Sequence, residues 1–167
     1  MTPAIRTVPP EQGSEREQLL AFLDYHRATF ATKTGGLDSA QLAATAAATT
    51  MTLGGMLKHA ALNEDMWFTR RLGGGALPEP WAGVDWEAQP DWDWESAAGD
   101  SPDQLRTLWA ESVARSRAVL ADVDLDAPAA AVGSNARWIV LHMIEEYARH
   151  NGHADLIREA IDGETGE

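Results

Sequence analysis

One stretch limits the folds open to this chain more than any other: residues 135–163, NARWIVLHMIEEYARHNGHADLIREAIDG. At about 100° per residue, Ile139, Met143, Ile157, Ala160 and Ile161 fall on one side of a helix. Ser134 or Asn135 can cap its start by accepting from a free backbone N–H. Gly163 can end it in the left-handed conformation that costs glycine little. The spacing predicts one long helix whose apolar stripe must be buried against other elements.

The middle of that stripe is polar. Glu146, His150 and His153 occupy it, with His142 one turn earlier. A buried carboxylate requires a charge partner or a metal. Residues four apart on a helix lie about 5–6 Å apart at Cβ, so Glu146 and His150 can grip one cation together. His142 with Glu146, and His150 with His153, are alternative pairs. A lone histidine on such a face is more often a hydrogen-bonded core residue, but four ionisable groups in one stripe favour metal binding.

The rest of the chain supplies helices to pack against. Ser14 and Glu17 form a capping box, predicting a helix to about Thr32 with Leu19, Phe22, Leu23, His26 and Phe30 inward. A short helical turn is expected after Asp38. Thr52 caps a helix predicted to run unbroken to the glycines at 73–75, with Met56, His59, Leu62, Asn63 and Met66 on one face. His59 repeats the oddity of an imidazole in an apolar stripe, which makes it the natural third ligand beside Glu146 and His150. Ser101-Pro102-Asp103-Gln104 opens a further helix with proline at its favoured first position. Leu105, Leu108, Trp109, Ser112, Val113, Ser116, Val119 and Leu120 form its core stripe.

Two segments lack a period. Residues 1–13 read as an extended arm within a single domain of residues 1–167. The connection 73–100 carries Trp81, Trp86, Trp92 and Trp94, and aromatic anchors favour burial. It reads as a strap pinned across the helices, in preference to a lid or an interface segment. No segment alternates as a strand does, so the expected fold is an all-α four-helix bundle with long crossover connections.

Composition then narrows the function. A formal charge of −13 opposes binding to nucleic acid or to an anionic membrane. There is no cysteine, so any metal must take nitrogen and oxygen ligands. The first ten residues lack the apolar run of a signal peptide, and no stretch approaches a membrane span; a cytoplasmic protein is expected. Two imidazoles and one carboxylate suit a divalent transition metal and leave a coordination position open. Zinc comes first, with nickel, iron and manganese also admitted.

Two motifs carry a resemblance. Residues 52–59, TLGGMLKH, continuing to Glu64, Trp67 and Phe68, resemble the second-helix motif of the DinB-like superfamily. Residues 145–153, EEYARHNGH, resemble its last-helix motif. More narrowly, the chain is similar to the actinobacterial branch of mycothiol-dependent transferases and maleylpyruvate isomerases. The resemblance implies a four-helix bundle with one metal held by His59, Glu146 and His150. Because ligating groups are usually oriented by neighbours, His26, His142 and His153 are expected to orient the ligands or wall the pocket. It also implies a co-substrate thiol, mycothiol or similar, and an electrophilic acceptor. Isomerases of this branch carry a further C-terminal domain not found in this sequence, so S-transfer is the implied activity. A metal-binding bundle without catalysis and a metal-dependent hydrolase are the alternatives. The tryptophan-dense connection and the habit of the family predict a homodimer.

Overall fold

The computed structural model describes residues 6–46 and 49–166. Among the described residues the chain is all-helical and no strand forms. Two isolated bridges, Thr45 with Thr52 and Pro128 with Asn135, close loops. Part of the expected arm, residues 1–5, lies outside the described residues; 6–13 carry no helix.

Helix α1 spans Glu15–Thr34 and begins with the capping box: the Ser14 backbone N–H donates to Glu17 Oε2 at 2.8 Å. Its buried line is Leu23, Arg27, Phe30 and Thr34, spaced four, three and four apart. Phe22, expected inward, is 46% exposed, because this line runs one residue off the predicted stripe and puts Arg27 where His26 was expected. A short helix, α2 (Ser39–Leu42), follows its Asp38 cap.

Helix α3 spans Leu53–Glu64. The expected continuation to residue 72 is not α-helical: Asp65–Leu72 winds as a π-helix, with Gly73 N–H bonding back five residues to Phe68 O at 2.9 Å. The change of winding falls between two fully buried acids pulled to different neighbours. Glu64 takes Arg27 of α1 and Tyr147. Asp65 takes Arg115, Ser112 and the indole of Trp81. Wide turns of this kind are rare and mark places where the regular ladder yields to side-chain demands.

The connection 73–100 packs as a strap. It contains 3₁₀ turns at Trp81–Gly83 and Ser96–Gly99 and a short helix, α4 (Trp92–Glu95). Trp81 is buried, and Trp86, Trp92 and Trp94 pack half-buried against the core. Gly55 lets the strap approach: a Cβ there would lie 2.9 Å from Trp94 Cε3.

Helix α5 spans Pro102–Leu120, and helix α6 spans Ala136–Asp162 with Gly163 at φ +78° as its left-handed cap. On α6, Ala160 is exposed rather than inward, since the burial stripe ends with Ile157 and Arg158. Helix α1 lies along α6, α3 lies along α5, and α3 also meets α6. Leu23, Phe30, Leu57, Phe68, Ile139, Met143 and Ile157 fill the space between them, each contributing about 1.5–3 kcal/mol by burial. Among the described residues no helix is long and apolar enough to cross a membrane.

Candidate metal centre

The seam between α3 and α6 brings three sequence-predicted residues together. His59 projects from α3, and Glu146 and His150 project from α6 one turn apart. One ligand-type atom of each lies within 4.8 Å of the other two, and all three side chains are half-buried. The His59 and His150 ring centroids are 5.1 Å apart, and His150 Nε2 is 3.5 Å from Glu146 Oε2.

The local chemistry suits a cation. Burial, reinforced by the neighbouring His59, pushes the pKa of His150 down to about 4, so its ring is neutral near pH 7 with a lone pair to give. Its Nδ1 is buried without a hydrogen-bond partner. His59 Nδ1 lies 2.7 Å from Asp93 Oδ2. An ionised carboxylate only accepts, so Nδ1 donates, and in the neutral ring Nε2 is then the nitrogen with the lone pair. Nε2 lies 3.0 Å from the Asn63 amide nitrogen. Ligand atoms on a tetrahedral ion with bonds of about 2.1 Å stand about 3.4 Å apart, so small rotamer adjustments bring the cluster to coordinating distance. The three residues fit a divalent ion.

Asp93 and Trp94 come from the strap. Asp93 is 3% exposed, and the Trp94 ring stacks on His59 at 4.5 Å and 29°. Neither stood out in the sequence as a site residue. The signal was a carboxylate between two tryptophans in an otherwise aperiodic segment, where burial of the flanking rings drags the acid inward.

The remaining histidines distribute around the cluster. His153 lies beside His150, rings 5.9 Å apart, with Nδ1 buried and unpartnered. His142 Nε2 is 4.0 Å from Glu146 Oε1. His142, Glu145 and Glu146 form a second group of ligand-type atoms within 4.8 Å of one another, but Arg149 already bonds Glu145 and lies 3.6 Å from Glu146. His26 sits at the α1–α6 contact, where its backbone carbonyl accepts from the Asn151 amide at 3.0 Å; burial lowers its pKa. A separate cavity of about 500 Å³, between residues 7–10, α1 and α5, has none of these histidines in its lining.

Fold and site define an all-helical protein with a facing His, Glu and His set between two of its long helices. The chain belongs to the mycothiol-S-transferase family, whose family model matches residues 18–163. That range takes in all three residues of the cluster and the strap that backs it. No curated protein matches the chain.

Proposed function

We propose that this chain is a single-domain four-helix bundle that transfers a small thiol, mycothiol or a close analogue, to an electrophilic carbon. In this reading His59, Glu146 and His150 hold one divalent ion, zinc first. The observation that supports it is the convergence of two neutral-capable imidazoles and a carboxylate across the α3–α6 seam, in a chain of this family.

A divalent ion supplies one thing here, a lower pKa for a thiol brought to it, below the free value of about 8.5. The chain's own residues do the rest. Asp93 fixes the His59 tautomer so that Nε2 faces the cation. Trp94 covers His59 and keeps bulk water off that side of the site. With a halide acceptor, the sulfur lone pair forms the C–S bond while halide leaves with the C–X electron pair, and the thiol proton passes to solvent. No cysteine is present, so the sulfur comes from the co-substrate.

The test is conjugation of a bimane halide with mycothiol, bacillithiol, glutathione and cysteine compared. Metal-loaded protein accelerates one thiol well above background, and His59→Ala loses that acceleration. Cleavage of an ester or amide in thiol-free buffer, with no thiol accelerated, replaces this reading by a hydrolase.

A further inference from the structure

The α3–α6 seam does not end at the cluster. One turn before Glu146 on α6 lies His142, and one turn before that Trp138. Trp67, from the π-helical segment, meets both. The Trp138 and His142 rings stack at 5.1 Å with planes only 10° apart. Trp67 is 4.3 Å from His142 and 5.5 Å from Trp138, centroid to centroid. The wall is continuous with the cluster through His142, whose Nε2 lies 4.0 Å from Glu146 Oε1.

Two properties of this wall are not explained by packing. Trp138 is 49% exposed, leaving large apolar surface in water at a cost of about 25 cal/mol per Å². Arg71 lies over the Trp67 ring at 4.0 Å and makes no ion pair among the described residues. Arg27, Arg115, Arg137, Arg149 and Arg158 each hold a carboxylate. In a chain of charge −13, a guanidinium left without an acid beside an open aromatic face is complementary to an incoming anion.

We infer that this wall is the acceptor subsite, and that it takes a flat aromatic ring bearing a negatively charged substituent. The ring lies against Trp138 and Trp67, and the anion meets Arg71. Stacked aromatic faces select a planar ring over a branched aliphatic group. The guanidinium selects an anion over a neutral or cationic substituent. Its role as the acceptor's place rests on the S-transfer reading; the binding itself does not.

The probe is 2-naphthoate, which cannot react with a thiol, titrated into the full chain while the indole N–H signals are followed by NMR. Saturable shifts at Trp67 and Trp138 are expected, with binding about tenfold tighter than for 2-naphthylmethanol, the effect of one charge-assisted contact. Cyclohexanecarboxylate and 2-naphthylmethylamine bind more weakly still. Arg71→Ala removes the preference for naphthoate over the alcohol, whereas Arg70→Ala, at the exposed neighbour, keeps it. Trp138→Ala weakens both naphthyl probes. Equal binding of naphthoate and the alcohol, shifts confined to other tryptophans, or a dimer in sedimentation that Trp138→Ala converts to monomer would each overturn the inference. Bimane conjugation by the same sample separates the two readings. Conjugation without naphthoate binding removes only the subsite, and naphthoate binding without conjugation removes only the transferase.

Discussion

Asp93 lies 2.7 Å from Nδ1 of His59, joining a carboxylate of the strap to an imidazole of α3. The acid is nearly inaccessible to water, and the ring is clamped on its face by Trp94. A histidine so held is fixed in the orientation of its ring and in which nitrogen points away from the acid. The strap between the second and third long helices therefore does more than cross the helices. It orients the imidazole that α3 presents to α6.

Asp93→Asn keeps the shape and removes the charge. It is expected to weaken metal binding by about 10–100-fold without unfolding the chain. Competition against a chromophoric chelator reads this directly, with circular dichroism as the fold control. Unchanged affinity would make the contact a mere packing feature.

The three facing residues should separate from their neighbours by metal content. His59→Ala, Glu146→Ala and His150→Ala are each expected to purify nearly metal-free. His153→Ala and His142→Ala keep most of the ion, because His153 adjoins one ligand and His142 is held between two tryptophans. Elemental analysis of the variants decides. Loss in His153→Ala equal to that in His150→Ala refutes this ligand set.

Much of this was readable because local signals agree with each other. Ser14, Thr52 and Ser101 cap helices where their side chains said they would, and of the two candidates Ser134 and Asn135 it is Asn135 that caps the last, since capping is settled within four residues. The departures are non-local. Phe22 lost its place because Arg27 is drawn inward by Glu64, an acid 37 residues away. The π-helical segment follows from partners that Asp65 finds on α5 and the strap, which no window on residues 52–72 contains. Asp93 was invisible as a site residue for the same reason. Its partner His59 stood out through helical period, whereas the strap has none.

Asp65 makes stability depend on acid. Burial pushes its pKa up, yet hydrogen bonds from Arg115, Ser112 and Trp81 outweigh this and hold it below the ordinary value of 3.8. A carboxylate with a depressed folded pKa contributes its full stability above the unfolded value and loses it as pH falls through the folded one. Urea midpoints should therefore drop below about pH 4, and Asp65→Asn should flatten that part of the profile while lowering stability at pH 7. An unaltered acid limb in the variant would assign the effect to other carboxylates.

The rotation of α6 depends on a second buried acid. Glu64 is fully buried and accepts from Arg27 Nε at 2.8 Å, Arg27 Nη2 at 2.6 Å and Tyr147 Oη at 2.7 Å. Trp109 in turn donates to Tyr147 Oη at 2.8 Å. Tyr147 follows Glu146 in sequence, so anchoring its hydroxyl in the core turns the adjacent Glu146, and His150 one turn on, towards α3. Glu64→Ala strips the buried Arg27 guanidinium of its bidentate partner and leaves it only the half-exposed Asp24 carboxylate at 3.0 Å, an expected loss of up to about 3–5 kcal/mol. Tyr147→Phe removes one hydrogen bond to a charged acceptor and strands the Trp109 donor, an expected loss of about 1–3 kcal/mol. The folded Tyr147→Phe protein should also bind metal more weakly, because α6 is then free to turn. Urea unfolding with metal removed by chelator measures the first effect, and chelator competition on folded protein measures the second. If Tyr147→Phe loses stability while its metal affinity stays at the parent value, Tyr147 supports the core without aligning the site.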